Sequence, residues 1–205
     1  MSLLHTELNM DDSRPSRLPM TAATMGMYLG VISGTMGFLS VIVGYLVIRH
    51  MHSQEWLPPN SAPFPSALYM STLVILVSSG TMQYALNSIR RASVGNLKNG
   101  LLGTFVLSVL FYILQVYSYL VITSGMEFKA AHTLFSGTFF MLTALHAAHL
   151  LGGVIPLVVL YLAARRDCYS EESHQAVTST TIYWHFLTVM WVGLFVVMLS
   201  ARFLN

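Results

Sequence analysis

Residues 27–48 read MYLGVISGTMGFLSVIVGYLVI. The stretch holds no Asp, Glu, Lys or Arg, and its polar and apolar residues do not alternate. A strand of a membrane β-barrel needs about ten residues of alternating polarity. An apolar run of about 20 residues instead crosses the ~30 Å hydrocarbon core as an α-helix, which satisfies its own backbone hydrogen bonds. The stretch therefore decides for a helical membrane protein and against a barrel.

The rest of the chain repeats that pattern. Of 205 residues, 55% are hydrophobic and 9% are charged, where a soluble domain carries about a quarter charged residues. The charges are gathered, leaving charge-free segments at 18–48, 56–89, 99–126, 130–164 and 173–201. Each is long enough for one spanning helix and too short for two. The expected architecture is all-α, a polytopic bundle of five transmembrane helices at about 21–48, 66–89, 99–122, 132–164 and 177–203. It forms one domain, preceded by a polar arm at 1–20 in which no signal-peptide core is found.

Basic residues orient the bundle. Arg14, Arg17, Arg90, Arg91, Lys98, Arg165 and Arg166 fall on the side of the N-terminus, against Arg49, Lys129 and Arg202 on the other. Short loops rich in Lys and Arg stay inside, so the N-terminus is expected inside and the C-terminus outside. A net charge of +2 offers nothing to a nucleic acid. The loop 55–65, EWLPPNSAPFP, carries four prolines and reads as a stiff outer turn. In RRASVGNLKNG (90–100), Gly and Asn read as helix stop signals. Glu171 and Glu172 are placed to open the last helix. The single cysteine, Cys168, falls in the last inner loop and cannot form an internal disulfide.

Within the spans three features stand out. Ala22, Gly26, Gly30 and Gly34 recur at intervals of four, a small-residue stripe that lets two helices approach closely in lipid. The pattern predicts a packing partner without saying whether it lies in the same chain. Second, no Asp, Glu, Lys or Arg sits deep in any span, which argues against a self-contained pump or ion-coupled transporter. Third, His146 and His149 share a face of the fourth helix, and His185 lies near the start of the fifth. A metal or haem site needs further ligands at matching depth, so no metal or haem is expected on this chain. Interhelical hydrogen bonding is the expected role of the pair, with Gln83, Asn87, Gln115 and Tyr119 as candidate partners. Tyr183 and Trp184 are expected as membrane-interface anchors, Trp191 in the belt or helix packing, and Arg90, Arg91, Arg165 and Arg166 as candidates for lipid phosphate.

In order along the chain, the longer motifs are Ser136-Gly137-Thr138-Phe139-Phe140, Leu145-His146-Ala147-Ala148-His149-Leu150 and Gly152-Gly153. Tyr183-Trp184-His185-Phe186-Leu187-Thr188-Val189-Met190-Trp191 follows in the fifth helix. Tyr45 to Arg49, Trp56 to Pro59 and Leu114 to Tyr119 add weaker matches. Together they resemble subunit III of the haem-copper respiratory oxidases in its five-helix bacterial form. Three carboxylates usual in that family are replaced here, by Gly34, Ser118 and Thr188.

The resemblance implies an accessory subunit of an aerobic terminal oxidase of the cytochrome c oxidase type. Such a complex reduces oxygen to water and pumps protons across the bacterial inner membrane. It implies packing against the catalytic subunit I, with subunit II, further small subunits or a respiratory supercomplex as other partners. Haem and copper belong to those partners, and phospholipid binds this chain, which supports proton uptake. His146, His149, Tyr183, Trp184, His185, Arg90 and Arg165 are the residues expected to hold lipid or tie helices. A quinol oxidase or a nitric-oxide-reductase-associated homologue is a close alternative. A stand-alone small transporter is one from another class.

Overall fold

A computed structural model of the chain describes residues 22–52, 65–91, 93–124, 134–165 and 175–203. These form five α-helices: α1 (Ala22–Met51), α2 (Ser66–Ile89), α3 (Val94–Ser124), α4 (Leu134–Arg165) and α5 (Gln175–Phe203). The expected arm at 1–20, most of the proline-rich turn, Cys168, Arg166, Glu171 and Glu172 lie outside the described residues.

Helices α2 to α5 close a ring: α2 packs on α3 and α5, and α4 bridges α3 and α5. Helix α1 stands outside the ring, leaning on α5 with a minor contact to α4. The core runs down the ring axis, with Trp184, Trp191, Phe111, Ile75, Met82, Leu101, Leu150 and Leu187 all fully buried. Large apolar side chains also cover the outside, among them Leu29, Met36, Leu73, Ile113, Ile155 and Val189. Helices apolar on both the packed and the outer face are those of a membrane bundle.

Four of the five helices are long and apolar enough to cross a membrane: Met25–Met51, Val94–Val121, Gly137–Arg165 and Gln175–Ser200. By length and apolarity the expected five spans are thus cut back to four, since α2 is missing from the set. Its apolar run is interrupted by Ser71, Thr72, Ser78, Ser79, Thr81, Gln83, Asn87 and Ser88. Several of those side chains tie α2 to its neighbours.

The start of α3 is a second correction. The helix begins at Val94, so Gly95, Asn96, Lys98, Asn99 and Gly100 are helical rather than a loop with stop signals. Gly100 is there for packing. A Cβ at this position would lie 2.8 Å from the Cβ of Ala85 and 3.0 Å from its Cα. Only hydrogen fits, and it lets α2 and α3 approach closely enough to make the most extensive interface in the molecule.

The seating of α1 uses three points. Gly34 receives the Phe186 ring of α5, whose Cζ lies 3.2 Å from where a Cβ would stand. Phe38 is fully buried against α4 and α5. At the far end the Arg49 guanidinium donates to Ser200 Oγ at 3.3 Å and to the Ser200 carbonyl at 3.2 Å. The last carbonyls of a helix lack partners within it, so Arg49 both caps α5 and latches α1. Of the stripe's three glycines, Gly34 meets another helix. Gly26 and Gly30 have open space around them, and the side chain of Ala22, in the first turn of α1, lies outside the described residues.

Candidate functional site

Two polar neighbourhoods flank α5. The first is the seam with α2. Trp184 is fully buried and donates its indole N–H to Ser78 Oγ at 3.1 Å. Trp191, also fully buried, donates to Thr72 Oγ1 at 3.1 Å. Trp184 is not the interface anchor expected of it, while Trp191 takes the helix-packing role. Each lies in the ring core, where its N–H needs a partner and α2 supplies one.

Beside Trp184, further along α2, stands His185. Its Nε2 faces Gln83 Oε1 at 2.9 Å and its Nδ1 faces Ser79 Oγ at 2.5 Å. An amide oxygen only accepts, so Nε2 carries the proton and the bare Nδ1 accepts from the Ser79 hydroxyl. Gln83 in turn donates from Nε2 to Asn87 Oδ1 at 3.2 Å. The chain Ser79, His185, Gln83, Asn87 thus runs one way, from a half-buried hydroxyl to the exposed end of α2. Elsewhere on α2, Gln115 of α3 donates to Ser71 Oγ at 2.9 Å, and the Thr81 and Thr104 hydroxyls meet at 2.9 Å. Interhelical bonds of this kind contribute about 0.6–2 kcal/mol each in a membrane, and here they accumulate on one helix.

The second neighbourhood surrounds α4. His146 is sealed inside the bundle: its relative exposure is 0%, and neither ring nitrogen has a hydrogen-bond partner among the described residues. It is walled by Trp191 of α5 at a centroid distance of 5.0 Å, Phe111 of α3 at 6.0 Å and Phe38 of α1 at 6.1 Å. His149 faces Phe38 at 4.9 Å, and its Nδ1 lies 2.8 Å from the Leu145 carbonyl of its own helix. Among the described residues, the interhelical hydrogen bonds expected of the pair are therefore not made. Of the four candidate partners, Gln83 serves His185, and none is bonded to His146 or His149 there.

Tyrosines do what the histidine pair was expected to do. Tyr112 of α3 donates to the Ala147 carbonyl at 2.6 Å, and Tyr183 of α5 donates to the His149 carbonyl at 3.0 Å. The glycine pair explains the second bond. A Cβ on Gly153 would stand 3.0 Å from Tyr183 Cε1 and 3.2 Å from Leu187 Cδ1, so the bare backbone is the seat of the tyrosine ring. Tyr183 is therefore an interhelical tie rather than an interface anchor.

The three histidines do not converge. His185 belongs to the α2 seam, while His146 and His149 belong to α4, and among the described residues no three His, Cys, Asp or Glu side chains gather into a metal-holding group. Gly34, Ser118 and Thr188, where the resemblance implied carboxylates, make local contacts. Gly34 holds Phe186, Ser118 donates to Leu114 O at 2.8 Å, and Thr188 donates to Trp184 O at 3.0 Å. Arg90 and Arg165 are exposed at the end of the ring where α2 and α4 finish.

The geometry defines a class: a multi-pass helical membrane protein whose polar side chains join helices to one another. The sequence matches the family described as Cytochrome c oxidase subunit III over residues 16–201. The chain belongs to that family. Curated relatives named cytochrome c oxidase subunit 3 agree. That of Thermostichus vulcanus is 27% identical over 172 residues, covering 83% of each chain. That of Rhipicephalus sanguineus is 31% identical over 180 residues, 85% of this chain and 68% of the relative. That of Corynebacterium diphtheriae is 30% identical over 133 residues, 64% of this chain and 63% of the relative. A subunit III is one part of a haem-copper oxidase complex, so this chain has partner subunits.

Proposed function

We propose that the chain is the accessory subunit III of an aerobic terminal oxidase of the cytochrome c oxidase type. The match to the subunit III family over residues 16–201 carries this reading. In it, the catalytic subunit I and its companion subunit II hold the haem and copper, reduce oxygen to water and pump protons. This chain has no redox centre and contributes no catalytic residue. It braces subunit I, retains phospholipid and supports proton uptake.

The uncharged interior is consistent with that division of labour. Apart from the Arg49 latch at one end of α1, the side chains that bond between helices are amides, hydroxyls, indoles and imidazoles, groups that fix helix register without carrying charge across the bilayer. Helix α2 also crosses the membrane in this reading. Its serines, threonines and amides lower its hydropathy, yet each one bonded within the ring costs little in lipid. The topology then has the N-terminus on the inner side of a bacterial inner membrane, with Arg90, Arg91 and Arg165 facing the same way.

The test is gentle purification from native membranes through a tag on this chain, followed by a reduced-minus-oxidised visible spectrum. Haem bands together with larger partner subunits are the expected result. A colourless single chain would overturn the reading.

A further inference from the structure

Helix α4 changes character along its length. Its directional ties to other helices lie before Gly152. Tyr112 donates to the Ala147 carbonyl, Tyr183 donates to the His149 carbonyl, and the His146 ring is walled by Phe38, Phe111 and Trp191. After Pro156 the contacts are apolar. Leu157, Leu160 and Ala164 are buried, but among the described residues no side-chain hydrogen bond joins 157–165 to another helix. Apolar burial is non-directional, so these contacts survive small sliding movements that a hydrogen bond would resist.

Between the two parts the helix ladder is broken. Pro156 stands inside α4. It has no N–H to give to the carbonyl four residues back, that of Gly152, and its ring crowds that carbonyl. Gly152 and Gly153 lie in the same turn, and neither has a Cβ to restrict the backbone. Gly152 is exposed, and the Tyr183 hydroxyl, 3.8 Å from where its Cβ would stand, is engaged by the His149 carbonyl. Sharp bends in helices fall at prolines, and hinges concentrate backbone change in a few residues between rigid parts. We infer that residues 152–156 are a hinge: the stretch 157–165 swings as a lever against α3 and α5 while 134–151 stays pinned. Leu162 lies about 9 Å past Pro156 at 1.5 Å per residue. A change of ~20° in the bend therefore carries it about 3 Å. The lever moves the end of the ring that carries Arg165 and leaves the His146 node in place.

Distances between spin labels on the tagged, full-length chain, in whatever complex the tag brings down, test it. Cys168→Ser removes the native thiol. Tyr84→Cys with Leu162→Cys measures from α2 to the lever, and Met70→Cys with Met141→Cys measures from α2 to the pinned part; all four positions are exposed. Double electron–electron resonance is expected to give the first pair a distance distribution about 3 Å broader than the second. Pro156→Ala restores the missing N–H and is expected to remove that excess width, with the second pair unchanged. Equal widths for the two pairs in the chain with Pro156 would overturn the hinge. Excess width that survives Pro156→Ala would overturn it too, since the motion would then not arise at the break in the ladder. Should Pro156→Ala fail to assemble, the comparison of the two pairs in the chain with Pro156 decides alone.

Discussion

His185 and His146 lie on neighbouring helices of one ring. One has both ring nitrogens engaged by α2. The other has neither engaged and is walled by rings from three other helices. The same side chain thus serves as a hydrogen-bonding tie in one place and as a packed disc in the other. The difference lies in what faces it. Helix α2 presents Ser79 and Gln83 at a spacing of four, one on each side of the His185 ring. Helices α1, α3 and α5 present the rings of Phe38, Phe111 and Trp191, tilted or edge-on to His146. The unmade conventional bonds cost about 1–3 kcal/mol.

This contrast can be broken at several points. Trp191 joins the two neighbourhoods, bonding to Thr72, meeting Phe111 edge-on and lying tilted against His146. Trp191→Ala should be the most damaging change, losing about 3–5 kcal/mol through lost contacts and the cavity left behind. The expected readout is loss of the chain from the assembled complex. Next comes Gly100→Val, which forces a side chain against the Ala85 backbone. Overpacking of this sort costs about 1–3 kcal/mol, and the α2–α3 hairpin should become sensitive to protease added to solubilised complex. His185→Leu strands the Ser79 hydroxyl and the Gln83 carbonyl, and a lower melting temperature of the complex is expected from about 1–3 kcal/mol of unmet hydrogen bonding. His146→Leu has the smallest expected effect. It removes two unsatisfied polar atoms and keeps an apolar side chain among rings, so stability should stay level or rise by about 1 kcal/mol.

Much of the architecture is legible in the sequence. The absence of charge from five segments locates five helices, and the ends of α2, α4 and α5 fall within two residues of expectation. Helix α3 begins earlier because Gly100 and Asn99 look like loop residues one at a time. Only the presence of Ala85 opposite Gly100 reveals the glycine as a packing device. The polar character of α2 is visible in its serines and threonines, but which of them face a tryptophan depends on how α2 sits against α5. The histidines illustrate the limit best. Spacing places His146 and His149 on one face of α4, yet nothing in the spacing tells that the face is lined by Phe38 and Trp191. Nor does it tell that Tyr112 and Tyr183 take over the bonds to α4. Gly152-Gly153 stands out as part of a motif, but its physical reason, the seat for Tyr183, appears only with the partner helix in place.

The most direct test compares the two histidines in one experiment: thermal dissociation of this chain from the purified complex, for the unaltered protein, His185→Leu and His146→Leu. A hydrogen-bonded seam on α2 and a packed node on α4 predict that His185→Leu dissociates at lower temperature while His146→Leu matches or exceeds the unaltered chain. The reverse order, with His146→Leu the weaker of the two, would contradict both assignments.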